Sequence, residues 1–419
     1  MASTISPKAN VAKGVSNILL GEKAMSALVG LRVRDSLRPS LEGVRIGINL
    51  HVTKETAVLV RTLTSLGASV ALSGCNAFST QDDVAAALAA EGVKVYAVHG
   101  CSDEDFYNAL DNVISFRPQI IIDDGCDLTV RLTKTATDEG WISEVIGGCE
   151  QTTSGVIRAT NMHNAGELRF PIITTNENKT KHLLDNYYGT GQSVIDGILR
   201  STCIFLASKN VVVVGFGPCG KGVALRAKGM GANVIVTEVD PFCALQAVYD
   251  GYQVMTMAEA APLGDVFVTL TGNKGVINKE HLQSMKDGAI LSNGGQFAIE
   301  IEIDELKKMS TAEEHVRDTM TKYTLSPAKC LFLLGQGSLV NLSCAEGHPS
   351  EVMSTSFLGQ ALGVEHLLNN KGKLPPGLHR LPDELDTKVA SLQLQALNVK
   401  IDIMTEAQIA YSNSWAEGY

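Results

Sequence analysis

Val211-Val212-Val213-Val214-Gly215-Phe216-Gly217-Pro218-Cys219-Gly220 stands at the middle of a 419-residue chain, an apolar run closing in Gly-x-Gly-x-x-Gly. Four successive valines are the composition of a strand buried on both faces of a parallel sheet. Gly215, Gly217 and Gly220 then supply the tight turn and the close backbone approach that a pyrophosphate needs, ahead of a helix. Eighteen residues after Gly220, Glu238 ends a second apolar run, Val234-Ile235-Val236-Thr237. A carboxylate there accepts hydrogen bonds from an adenosine ribose and repels a 2′-phosphate, so the expected cofactor is NAD rather than NADP.

About half the chain precedes this motif, and 419 residues exceed what one hydrophobic core serves, which predicts two domains. Residues 44–124 alternate short apolar runs (Val44–Leu50, Ala68–Ser73, Val93–Val98, Gln119–Ile122) with amphipathic stretches (Glu55–Leu66, Gln81–Glu91, Glu104–Ile114). That is the pattern of a parallel sheet wrapped by helices. Polar residues follow the runs: His51, Cys75-Asn76 and Asp123-Asp124-Gly125-Cys126-Asp127. In open α/β sheets these positions converge on the ligand crevice. A second unit starts near Ser193 with helix Val194–Phe205, passes through the Val211, Val266–Thr269 and Ala289–Ser292 strands, and ends near Gly335. Helix Glu351–Asn369 returns to the first unit, and Pro375-Pro376-Gly377 precedes an arm with helix Leu385–Ala396. The expected fold class is α/β, with two doubly wound parallel-sheet domains. A Rossmann-like NAD domain, residues 187–348, is inserted into a discontinuous substrate domain, 1–186 and 349–382, and an arm spans 383–419.

The net charge of −10, from 35 basic and 45 acidic residues, argues against a nucleic-acid partner or an anionic membrane surface. Nine cysteines without a Cys-x-x-Cys suggest neither a metal site nor a disulfide framework, and fit reduced thiols in a cytoplasmic protein. No signal peptide or membrane-spanning run is expected.

Just ahead of the second unit, Lys181 and Asp185 are four residues apart, so on a helix their charges share one face. An ordinary surface salt bridge would have the same spacing. The position between a NAD domain and a substrate domain allows another role: the lysine takes a hydroxyl proton as hydride leaves, with Asp185 tuning it.

Several long segments carry a family resemblance over nearly the whole chain: Leu50-His51-Val52-Thr53-Lys54-Glu55-Thr56, Ser79-Thr80-Gln81-Asp82, Asp123-Asp124-Gly125, Thr152-Thr153-Ser154-Gly155-Val156, Thr180-Lys181 with Asp185-Asn186, and Gly347-His348-Pro349-Ser350. With the glycine loop they resemble S-adenosylhomocysteine hydrolase. The resemblance implies a tightly held NAD that oxidises the ribose 3′-hydroxyl and acidifies the 4′-hydrogen. The 5′-substituent then leaves, water adds and the ketone is reduced, giving adenosine and homocysteine. By resemblance Thr53 and Glu55 hold the adenine, Lys181 and Asp185 handle the oxidised hydroxyl, and His51 and Asp124 serve proton transfer at C4′ and C5′. His348 lines the adenine and 5′ side. Thr152, Thr153, Ser154, Asn186, Glu238, Thr271 and Asn341 match cofactor contacts. A homo-oligomer, a tetramer by resemblance, is implied, of the shorter bacterial and archaeal type.

The chain also departs from the pattern. Gln151 stands where the family has a glutamate gripping a ribose hydroxyl, Gln296 where it has a histidine near the homocysteine and 5′ region, and Asp124-Gly125-Cys126 replaces Asp-Gly-Gly. A neutral amide bonds a hydroxyl less strongly than a carboxylate, and it cannot exchange protons near neutrality. Two readings follow: a working hydrolase, or a relative that dehydrates a modified adenine nucleoside to an exocyclic alkene. A non-catalytic nucleoside sensor and a dehydrogenase that releases NADH are the remaining classes.

Overall fold

The computed structural model describes residues 2–34, 41–135 and 139–416, so Glu417-Gly418-Tyr419 of the expected arm lie outside the described residues. Two sheets organise the chain. The first contains β1 (Arg45–Leu50), β2 (Ser69–Gly74), β3 (Lys94–Tyr96), β4 (Ile120–Asp123), β5 (Gly147–Glu150) and β6 (Pro171–Thr174). The second contains β7 (Asn210–Val214), β8 (Asn233–Thr237), β9 (Gln253–Val254), β10 (Val266–Thr269), β11 (Ala289–Asn293), β12 (Ala312–Arg317), β13 (Met320–Ser326) and β14 (Lys329–Leu334). A last strand, β15 (Gly377–His379), pairs parallel with β6 of the first sheet. The strand orders are β15-β6-β5-β4-β1-β2-β3 and β12-β13-β14-β11-β10-β7-β8-β9.

The valine run is buried for the reason its composition gives. Val211 and Val213 point into one apolar core of the second sheet, and Val212 and Val214 into the other. In the first sheet Ile120 and Ile122 pack with Phe357 and Leu362 of helix Ser350–Asn369, while Ile121 faces Leu128 and Trp141 on the opposite side. Side chains alternate along a strand, so helices on both faces demand an unbroken apolar run.

The second sheet is not parallel throughout. β13 runs antiparallel to both β12 and β14, and only β14 rejoins the parallel set beside β11. The links Asp318-Thr319 and Pro327-Ala328 are far too short for a parallel crossover, so these strands form hairpins. β12, fully exposed and carrying Glu313, Glu314, His315 and Arg317, is a charged edge that resists further strand pairing.

Each sheet has a switch point where chain connections leave in opposite directions: β1 lies between β4 and β2, and β7 between β10 and β8. Both carboxyl rims face one cleft, bridged by Asn76 Nδ2 donating to Ser338 Oγ at 2.9 Å and Gln296 Nε2 donating to the Asp124 carbonyl at 3.3 Å. At the second rim Gly215 adopts φ +98°, which disfavours any side chain. A Cβ on Gly220 would lie 1.9 Å from the Gly215 carbonyl oxygen, whereas one on Gly217 would meet nothing within 4 Å. Gly220 therefore closes the helix onto the loop, and Gly217 keeps the approach to it open. Gly220→Ala should force the helix off the loop at a cost of about 1–3 kcal/mol. The expected result is a lower thermal midpoint and less dinucleotide retained through gel filtration.

Candidate active site

At the first rim the two neighbouring aspartates have different tasks. Asp123 is fixed by Asn49 Nδ2 at 3.0 Å and the Thr129 backbone N–H at 2.8 Å. Asp124 turns into the cleft, and its buried Oδ1 has no hydrogen-bond partner. His51, one residue past β1, has Nδ1 held by Ser79 Oγ at 2.7 Å, which leaves Nε2 3.7 Å from Asp124 Oδ2. Burial pushes the imidazole down to about 3, assisted by the nearby His348 and Lys181. Burial likewise lifts the Asp124 carboxyl to about 7, against the pull of Lys181. The pair is thus a neutral imidazole beside a carboxyl group that can gain or lose a proton near neutrality, rather than a fixed ion pair.

The opposite wall comes from residues Lys181–Gly189, which form a wide π-helical turn leading into helix Thr190–Thr202. Lys181 Nζ lies 2.9 Å from Asp185 Oδ1 and donates to Asn186 Oδ1 at 3.0 Å. Asn186 in turn donates to Asn176 at 3.1 Å, and Asn176 to Thr153 Oγ1 at 2.9 Å. Asp185 is fully buried; His348 Nδ1 lies 2.8 Å from its Oδ1, and its Oδ2 accepts from the Ser356 hydroxyl. Burial alone would raise its pKa. Lys181, His348 and Ser356 outweigh that and hold it well below the usual carboxylate range. The far ring nitrogen of His348 lies 3.1 Å from Thr190 Oγ1.

Glu55, buried near the start of helix Lys54–Ser65, accepts from Ser350 Oγ at 2.5 Å and lies 3.2 Å from Lys54 Nζ. Thr53 caps the same helix, accepting from the Thr56 N–H at 3.5 Å. Gln151, after β5, accepts at Oε1 from Gln360 Nε2 at 2.5 Å, and that same nitrogen donates to Thr175 Oγ1 at 2.8 Å.

The structure brings His51, Thr53, Glu55, Asp124, Gln151 and Lys181 onto one cleft, which Thr152, Asn186, Gln296, Asn341 and His348 also line. The space of the cleft, its opening to solvent included, is about 800 Å³. Asp185 stands behind Lys181 instead of facing the cleft. Ser154 is buried at the start of helix Thr153–Asn164, and Thr153 is exposed. Gly215, Gly217, Gly220, Glu238 and Thr271 sit apart, at the rim of the second sheet. There Glu238 Oε2 accepts from the Phe216 N–H at 2.6 Å, and the Thr271 hydroxyl donates to Glu300 at 2.7 Å. These residues fit a dinucleotide: a glycine turn with an open approach, a carboxylate at the end of β8, and a buried acceptor, Asn341 Oδ1, left without a partner at the cleft wall.

Sequence reasoning quoted Ser350 without giving it a role and missed Ser356 and Gln360; the three hold Glu55, Asp185 and Gln151. Their signal is the set of small polar residues and one glutamine on the buried face of helix Ser350–Asn369, where apolar side chains are expected. Thr190 and Cys219, 3.5 Å apart, also line the cleft unforeseen.

The depressed pKa of Asp185 makes a stability prediction. Its contribution is complete above the ordinary carboxylate value of about 4 and is lost as pH falls below that toward the folded value. Asp185→Asn, which strands Lys181, should cost about 3–5 kcal/mol at pH 7. The difference in thermal midpoint between the two proteins should narrow between pH 5 and 3; an unchanged difference would contradict this account.

Comparison with known proteins agrees with the geometry. The model of the S-adenosyl-L-homocysteine hydrolase family matches residues 5–145, and the model of that family's NAD binding domain matches residues 186–347. The chain is 47% identical to an S-inosyl-L-homocysteine hydrolase of Methanocaldococcus jannaschii over 97% of both chains. It is 48% identical to an adenosylhomocysteinase of Archaeoglobus fulgidus, over 97% of this chain and 100% of that one, and 48% identical to one of Sulfolobus acidocaldarius over 97% of both. NAD is accordingly the cofactor of the domain at residues 186–347. The chain belongs to the S-adenosyl-L-homocysteine hydrolase family.

Proposed function

We propose that the protein is an NAD-dependent hydrolase of the thioether in a purine-nucleoside conjugate of homocysteine, S-adenosylhomocysteine in the first instance. What carries the reading is the convergence on one cleft of Lys181 Nζ, held by Asp185 and Asn186, with the His51–Asp124 pair. When bound, NAD supplies the hydride acceptor for ribose C3′ and returns the hydride at the end of turnover. Lys181 takes the O3′ proton during the oxidation and gives it back during the reduction, while Asp185 and Asn186 fix the nitrogen's position. Asp124 and His51 Nε2 move the protons at C4′ and C5′. A carboxyl group near 7 is matched to such work at neutral pH, and His51 offers a neutral ring nitrogen. Gln151, braced by Gln360, meets the ribose, and Thr53 and Glu55 bind the base. Gln296, reaching over from the second sheet, bounds the 5′ side.

The names of the relatives favour thioether cleavage over nucleoside dehydration. The same proposal places the substrate domain at 1–186 and 349–382, the NAD domain at 187–348 and the arm at 383–419. It takes the molecule to be a cytoplasmic homotetramer; among the described residues no helix is long and apolar enough to cross a membrane. Ile401, Ile403 and Trp415 of the arm, 70, 90 and 96% exposed, support a contact between subunits.

The test is incubation of the NAD-loaded protein with S-adenosylhomocysteine and, separately, S-inosylhomocysteine, with products read by mass spectrometry. Homocysteine and the free nucleoside are expected from at least one of them. Loss of water from a free nucleoside, with both thioethers untouched, would overturn the proposal. Lys181→Ala should lower turnover by at least about a hundredfold. It should also abolish the transient absorbance of reduced NAD on substrate addition, while the cofactor stays bound.

A further inference from the structure

Asp386 is a buried carboxylate that no step of the proposed chemistry uses. It stands in the first turn of helix Asp383–Ala396, at the start of the arm, and faces the turn that delivers Lys181. Its Oδ2 accepts the Lys179 backbone N–H at 2.6 Å. Its Oδ1 accepts the Thr180 N–H at 3.4 Å and the Thr180 hydroxyl as well. Residues 206 and 207 positions apart thus meet immediately ahead of the lysine.

The contact answers a need of the backbone. Lys181–Gly189 and helix Thr190–Thr202 follow each other without a break, and a helix start leaves backbone N–H groups without intrahelical acceptors. The N–H groups of Lys181 and His182 go to the Asn178 carbonyl, at 3.0 and 2.9 Å. Thr180 occupies the cap position, but its hydroxyl turns to Asp386 instead of capping its own helix. The N–H groups of Lys179 and Thr180 therefore depend on a group from outside the turn, and the carboxylate supplies both acceptors. The helix dipole also favours a negative charge at this end.

What holds Asp386 is independent of the turn. Val389, three residues further along the same helix, is fully buried in the core of the first sheet, and Gln393 accepts from Ser354 Oγ at 3.0 Å. Ser354 lies on the helix that also sends Ser356 to Asp185. The turn is thus clamped at two points, by Asp386 ahead of Lys181 and by Ser356 through Asp185 behind it.

We propose that Asp386 is a positioning residue for the oxidation at C3′. By fixing the backbone at Lys179 and Thr180 it sets where Lys181 Nζ stands in the cleft, and it makes the arm a part of the site. Displacing a reacting group by about 1 Å can cost about a hundredfold in rate, so a frayed start to this turn is felt in the proton transfer before it is felt in binding. The consequence for turnover rests on the reading of Lys181 as the base at O3′; the anchoring does not.

The test uses NAD-loaded protein and Asp386→Asn, whose amide keeps one acceptor and sets a donor against the other N–H. Reduction of the bound NAD on addition of S-adenosylhomocysteine should slow at least about tenfold, while KM and NAD retention stay within about threefold. In a Lys181→Ala background the same substitution should leave the residual turnover within about twofold, since no lysine is left to misplace. A fall of equal size in both backgrounds would make the effect one of general stability and overturn the proposal, as would an unchanged rate in the first. Should Asp386→Asn fail to fold, Thr180→Val removes one of the three bonds; NAD reduction should then slow at least about threefold with KM unchanged, and an unchanged rate overturns the proposal. If the wild type reduces NAD with neither thioether, the proposed function fails and amide exchange reads the anchor alone. The Lys179 and Thr180 amides should exchange at least about a hundredfold faster in Asp386→Asn than in the wild type, and equal exchange would overturn the anchoring.

Discussion

The carboxylate of Asp185 is the joint on which the site is assembled. It is fully buried, and it stays charged only because Lys181, His348 and Ser356 all direct positive or polar hydrogens at it. These partners come from three places: Lys181 from the turn that joins the two sheets, His348 from the segment that leaves the second sheet, and Ser356 from the helix that packs under the first. A charge in that position is costly unless every partner is present. The same group of atoms therefore sets the height of Lys181 over the cleft and ties together the stretches of chain that join the two sheets.

The wide turn at Lys181–Gly189 can make this junction because its neighbours come unusually close. A Cβ on Gly222, in the helix after the glycine loop, would lie 1.9 Å from the Tyr187 carbonyl oxygen, and one on Gly189 would lie 2.8 Å from His348 Nδ1. Helix Pro218–Gly229 thus rests its backbone against the turn that carries the lysine. The glycine loop and Lys181 are held in one packed unit, and a displacement of either must move the other.

What could be read from the sequence follows from distance along the chain. The Val211–Val214 strand, the alternation through residues 44–124 and the glycine loop are local signals, and their strands lie where that pattern places them. His51 and Asp124 were legible because strand ends converge in an open sheet. Gly147-Gly148-Cys149-Glu150 of β5 carries too little apolar content to announce a strand, and its pairing with β4 and β6 is what makes it one. Ser356 and Gln360 are ordinary helix residues until their partners, 171 and 209 positions away, are known. Cys75, just past β2, was legible by the strand-end rule too, and it meets His51 and Asp124 at the same rim.

The two glutamines that break the family resemblance acquire a physical reason from their surroundings. Asp123, Asp124 and Glu150 crowd one rim. Burial, with the charges of Asp123 and Asp124, drives the Glu150 carboxyl well above its ordinary range. A further carboxylate at position 151 would add to that repulsion, whereas the Gln151 amide finds Gln360 as a neutral donor. At position 296 a protonated histidine would help hold Asp124 ionised; the Gln296 amide carries no charge and donates to the Asp124 backbone carbonyl. Both amides thus leave the proton affinity of Asp124 to burial, opposed chiefly by Lys181. The chain carries no charge at positions 151 and 296 while keeping, at Asp124, a carboxyl group poised to trade a proton at neutral pH.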